Sequence, residues 1–135
     1  MISTRTRRTV GHLGAVALGA ALVVGGAAAP AAAKSGDIVK RAACSGKTVT
    51  KLKLSAEGRK IETEFEVDSN RNGQRWNWTI YRNGTAAASG KAVTRGPSGS
   101  FEVRRLLANG SGRETVKGLA KNPRTGEVCR VTARF

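Results

Sequence analysis

The run Ser45-Gly46-Lys47-Thr48 ends like a phosphate loop, whose backbone amides and lysine cradle a nucleotide's phosphates. That loop needs another glycine five residues before Gly46, where Arg41 stands, and a helix after it, where an alternating strand pattern follows. The carboxylates Glu62, Glu64, Glu66 and Asp68 recur at every second position, the spacing that lines one face of a strand. Two such groups could form an acid–base pair for glycoside cleavage. They could also ligate calcium, but a row pointing one way does not wrap an ion. Lys51 and Lys53 are placed to answer two of them, so the row reads as a solvated face that keeps a flat strand soluble. A hydrolytic nucleophile needs an activating base. The one histidine is His12, and Cys44 and Cys129 lack both C-x-x-C spacing and a histidine partner. No catalytic residue, metal site or cofactor is expected, and the chain reads as a non-enzyme.

Trp76, Trp78 and Ile80 share one parity, opposite Asn77, Thr79 and Tyr81. The indoles could be a stacking platform for a sugar or a base, but that arrangement would put Asn77 and Thr79 in the core. They are read as core residues.

These side chains need strands to position them. Ile61, Thr63, Phe65 and Val67 alternate with the carboxylate row, a half-buried strand pattern. Seven strands are predicted, over Thr48–Ser55, Lys60–Asp68, Gln74–Arg82, Thr85–Thr94, Ser100–Leu107, Arg113–Ala120 and Glu127–Phe135. Turn formers separate them, with Asn83-Gly84 the strongest hairpin signal. A four-residue loop at Ala56–Arg59 would pair Ser55 with Lys60 and Leu54 with Ile61, setting Lys53 against Glu62 and Lys51 against Glu64. Small residues at Ala86–Ser89 leave room beside the indoles. Two phase breaks stand out. Arg105 shares the parity of Phe101 and Val103, so the strand bulges near Arg104-Arg105 or Arg105 lies at the rim. Val116 and Leu119 are out of phase, which predicts a bulge at Gly118.

The first 33 residues read as a secretory signal peptide. Arg5, Arg7 and Arg8 form a basic start, Val10–Ala29 carries no Lys, Arg, Asp or Glu, and Ala31-Ala32-Ala33 is a small-residue cleavage site. Arg7-Arg8 also fits a twin-arginine export signal, without its usual flanks. An uncleaved anchor is the other reading of such an uncharged stretch, but alanine and glycine drive insertion weakly. Residues 34–43 form a basic, partly disordered lead-in, and residues 44–135 the folded domain. Two cysteines in an exported domain of this size predict one disulfide. Seven short antiparallel strands without a helical period predict an all-β sandwich of immunoglobulin-like or fibronectin type III layout. Such sandwiches set the first and last strands side by side, so a Cys44–Cys129 bridge would staple them together. Antibody domains place their bridge elsewhere, and the likeness is one of architecture.

Three stretches carry a closer resemblance: Glu64–Trp78 (EFEVDSNRNGQRWNW), Pro97–Val103 (PSGSFEV) and Asn122–Arg130 (NPRTGEVCR). With them the domain resembles small secreted proteins of actinobacteria that have an Ig-like β-sandwich and no assigned activity. The resemblance implies an exported β-domain and brings no catalytic motif. The acidic, two-disulfide antitumour apoproteins of the same bacteria resemble it in fold only.

Charge supplies the lead to function. Without residues 1–33 the chain keeps 21 of its 24 Lys+Arg and all 9 Asp+Glu, a net of +12. Residues 34–68 carry 8 basic and 6 acidic groups, and residues 69–135 carry 13 and 3. The expected topology joins the third, sixth and seventh strands in one sheet. Its outward positions include Arg75, Tyr81, Arg113, Lys117, Arg130 and Arg134, a basic face suited to polyanions. The reading is a secreted, monomeric binding module, free or associated with the cell wall. Its partner is an anionic cell-envelope polymer or another extracellular polyanion, with no specific nucleic acid and no transmembrane segment in the mature chain. The bland alternative is a basic surface that only solubilises. The runner-up function is a small secreted inhibitor or toxin that binds a protein partner through its loops.

Overall fold

The alternation at residues 61–67 and 76–80 becomes strands because it buries one parity. The carboxylate row expected to be solvated is half-exposed at Glu64, Glu66 and Asp68 and buried at Glu62 (9 % exposed). The computed structural model describes residues 36–135. The predicted leader at 1–33, with Lys34 and Ser35, lies outside the described residues. Eight strands form: β1 (Ile38–Ala43), β2 (Val49–Glu57), β3 (Lys60–Asp68), β4 (Arg75–Arg82), β5 (Thr85–Val93), β6 (Ser100–Ala108), β7 (Thr115–Lys121) and β8 (Val128–Arg134). They make two four-stranded antiparallel sheets, ordered β1-β2-β3-β6 and β5-β4-β7-β8. No helix occurs among the described residues. The fold is an all-β sandwich.

The eighth strand is the correction to the predicted seven. Residues 38–43, expected to be partly disordered, pair along β2 from Ile38↔Leu54 to Ala43↔Val49. Ile38 and Ala42 pack against the core. Lys40 lies between them on the same parity and remains exposed at the sheet edge, which hides the alternation in the sequence.

The β2–β3 hairpin turns two residues later than predicted. Glu57 pairs with Lys60, Leu54 with Thr63 and Leu52 with Phe65. Gly58, at φ 57°, lets the chain reverse over Gly58-Arg59 alone. A two-residue shift keeps every side chain on its face. Because the carboxylates repeat every second residue, the lysines still find partners: Lys51 pairs with Glu66, and Lys53 lies 3.5 Å from Glu64.

Trp76, Ile80, Val116, Ala120 and Cys129 are fully buried from one sheet, against Leu52, Leu54, Ile61, Phe65 and Val67 from the other. Trp78, at 4 % exposure, joins them. Gly90 faces Trp78 across the β4–β5 pair, and a Cβ there would stand 2.7 Å from the indole. The predicted bulge at Gly118 does not occur. The β7 register runs unbroken against β4 and β8, with Val116, Gly118 and Ala120 inward. Gly118 is instead a close approach, since a Cβ would lie 2.5 Å from the Phe65 ring. The register shift falls between Ile80 and Tyr81, opposite Ala87 of β5. β6 pairs with β3 without a break, so Arg105 is the rim residue of the two alternatives. Its guanidinium covers Trp78 of the facing sheet.

The Cys44–Cys129 disulfide joins the turn after β1 to β8, with Cα atoms 4.3 Å apart. Beside it the Ser45 amide donates to the Val128 carbonyl and the Val128 amide to Ser45 Oγ, both at 2.9 Å. Together with a bond from the Thr48 amide to Glu127, these tie the two sheets at one end of the sandwich by one covalent and three hydrogen bonds.

Candidate polyanion-binding face

Register decides which side chains share the outer face of the β5-β4-β7-β8 sheet. Asn77 lies between Lys91 and Lys121. Thr79 lies between Ser89 and Leu119, with Arg130 beyond. Tyr81 lies between Ala86 and Lys117, with Thr132 beyond. Arg75 and Arg134 close opposite ends of the lattice, beside Val93 and Thr115. The strands of this sheet therefore turn six cations outward, Arg75, Lys91, Lys117, Lys121, Arg130 and Arg134, and no carboxylate. Lys117 Nζ sits 4.5 Å from the Tyr81 ring centroid, a cation–π contact that holds the ammonium over the sheet.

The other outer face neutralises itself. Lys51 pairs with Glu66, Lys53 with Glu64 and Asp37, and Arg104 with Glu62. The Glu62 hydrogen bond and charge raise the Arg104 pKa. Partial desolvation lowers the pKa of Lys53, but Glu64 and Asp37 outweigh it and the net shift is upward. Partial desolvation and the nearby Glu64 and Glu66 hold the Glu102 carboxyl above its usual range.

Of the six predicted face residues, Arg75, Tyr81, Lys117, Arg130 and Arg134 lie together. Arg113 has the right parity but precedes the first residue of β7, so it sits in the loop beyond the lattice. Sequence reading missed Lys91 and Lys121. Lys91 shares the parity of Ser89, and the register shift at Ala87, beyond the Asn83-Gly84 turn (φ 49° and 82°), brings it opposite Asn77 and onto the outer face. Lys121 lies one residue past the predicted strand end.

Next to Arg113, Glu114 is buried and makes a clamp. Its carboxylate accepts from Arg82 Nη2 at 2.8 Å, from the Gly110 amide at 2.7 Å and from Asn83 Nδ2. The Arg82, Gly110 and Asn83 bonds hold its pKa low against the opposing effect of burial. The Ser45–Thr48 loop also meets an anion, but an internal one. The Thr48 amide donates to Glu127 Oε1 at 2.9 Å, and a Cβ on Gly46 would stand 2.7 Å from that oxygen.

A cavity of about 840 Å³ opens at the seam between β5 and β6. Arg75, Asn77 and Lys91 of the basic face line it, as do Arg95, Ser100, Phe101 and Glu102. The described residues contain no histidine and no free cysteine, and no three metal-ligating side chains gather among them. Among the described residues there is no helix long and apolar enough to cross a membrane. No family model, curated protein or solved structure matches the chain.

Proposed function

We propose that the protein is a secreted, monomeric, non-enzymatic binding module whose basic sheet face holds an extracellular polyanion such as a cell-wall polymer. The observation that carries this reading is the contrast between the two outer faces. One answers its carboxylates with its own cations. The other presents six cations and no carboxylate within its strands. Neighbouring strands lie about 4.8 Å apart and same-face residues about 7 Å apart along a strand. Several cations therefore meet one charged polymer at once and release its counterions. The sheet order supports an immunoglobulin-like layout for β2–β8, with β1 added at an edge. The leader pattern and the disulfide support export.

Binding to isolated anionic cell wall across a salt series tests the reading. Apparent affinity should fall by at least about tenfold between low and physiological salt. Reversing Arg75, Lys121 and Arg130 to Glu should abolish it. Salt-independent binding, or unchanged binding by the reversed variant, would remove the proposal.

A further inference from the structure

We propose that the cavity at the β5–β6 seam seats one acidic sugar unit, which makes the polymer held by this protein an anionic polysaccharide. The inference rests on the basic-face reading and adds the class of ligand and the place where it is gripped.

The cavity is continuous with the face, because Arg75, Asn77 and Lys91 belong to both. Arg95 adds a third cation to its wall. Its volume of about 840 Å³ falls within the range of small-ligand clefts, about 300–1,000 Å³. It lies where the edges of the two sheets part, beside the backbone bridge between Arg95 and Ser100 (2.9 and 3.1 Å).

Its polar groups are mixed in a way that selects among anions. Three cations suit a carboxylate or an ester-linked acid, and Arg75 and Arg95 can each do so with two parallel N–H bonds. Asn77 and Ser100 can both donate and accept. Glu102 lines the cavity from β6, but its carboxyl interacts with Glu64, Glu66, Lys51 and Lys53 of the other outer face and not with these cations. A sugar acid supplies both an anion and several hydroxyls, whereas a DNA backbone supplies only the anion. Val93 and the exposed Pro123 give the cavity an apolar side against which the C–H face of a pyranose can rest. Single-stranded nucleic acid is further disfavoured by its need for exposed aromatic faces. Trp76 and Trp78 are buried, Phe101 is 8 % exposed, and Lys117 covers Tyr81.

The test uses trigalacturonate, too short to span the sheet, together with long polygalacturonate and a DNA duplex of matched charge. Two variants reverse exposed cations, K91E/R95E in the cavity and R130E/R134E on β8 at the far side of the face. Thermal unfolding first checks that both fold. Trigalacturonate affinity should drop about tenfold or more in K91E/R95E and less than about threefold in R130E/R134E. If the trimer does not bind, or loses affinity equally in both variants, while the long polymer still binds with steep salt dependence, the cavity inference falls and the face reading stands. If DNA binds more tightly than polygalacturonate and ignores K91E/R95E, the ligand class is wrong. If neither long polymer binds, the face reading itself falls.

Discussion

The Arg105 guanidinium lies 5.0 Å from the centroid of the Trp78 ring, although the two residues stand on different sheets. β6 is the edge of its sheet, and at that edge an inward parity leads to the rim of the sandwich. There an arginine can shield an indole and keep its head in water. Arg105→Ala should cost about 0.5–1 kcal/mol and increase the quenching of Trp fluorescence by acrylamide. Arg105→Lys should retain much of the effect. Equal quenching and equal urea midpoints in all three proteins would show that the stack contributes nothing.

Gly118 faces Phe65 so closely that a methyl group would stand 2.5 Å from the ring. Gly118→Ala should therefore destabilise by about 1–3 kcal/mol, through overpacking rather than through backbone conformation. The paired change Phe65→Leu with Gly118→Ala should cost less than the sum of the singles, because the smaller side chain gives the methyl space. Additive losses in a denaturant double-mutant cycle would place the cost elsewhere.

Glu114 couples the fold to pH. Arg82, the Gly110 amide and Asn83 hold its carboxyl below the ordinary 4.5. With the folded-state value depressed, the unfolded chain takes up the proton first as pH falls. The stabilisation is complete above the unfolded value and is lost as pH drops through the folded one. Glu114→Gln keeps the shape and removes the charge. Its thermal midpoint should lie several degrees below wild type at neutral pH, and the two should converge in acid. A gap that stays constant into strong acid would separate this clamp from any charge effect.

Much of this architecture is legible because residues 61–67 and 76–80 alternate without exception, and the structure buries the predicted parity. The two-residue slip of the first hairpin was not legible, since Glu62, Glu64 and Glu66 repeat with the period of the strand. Lysines at 51 and 53 therefore favour either register, and only Gly58 breaks the tie. β1 was hidden by Lys40, an edge residue on the inward parity. Gly118 reads as a lost phase along the chain, yet it is space reserved for a ring from another strand. The basic face follows from parity, apart from Lys91, which depends on the register shift at Ala87, and Lys121 and Arg113, which depend on where β7 begins and ends. The seam cavity depends on how far apart two sheet edges stand, and no local pattern encodes that distance.

The disulfide closes a separation of 85 residues, and its Cys129 end is fully buried. Cross-linking over that length restricts the unfolded chain by about 4–5 kcal/mol in the chain-entropy account. A Cys44→Ser/Cys129→Ala variant should lose most of that, read as a lower denaturant midpoint with little change in the slope. A loss below about 1 kcal/mol would mean that the Ser45–Val128 and Thr48–Glu127 hydrogen bonds hold this end of the sandwich without the disulfide.

Glu127 fills a loop that could otherwise receive an external anion. Its Oε1 accepts from the Thr48 amide at 2.9 Å, while Gly46 leaves the room for the carboxylate. Glu127→Ala leaves that amide without its acceptor and an exposed Lys47 beside an open backbone concavity. The loss should be about 1–2 kcal/mol in chloride. Sulfate or phosphate should recover part of it for the variant beyond their general effect on wild type, because an oxyanion can replace the carboxylate. Thermal midpoints of both proteins in matched ionic strengths of chloride and sulfate decide the matter. If sulfate raises both midpoints equally, the loop has no anion affinity of its own, and Glu127 acts there only as a hydrogen-bond acceptor.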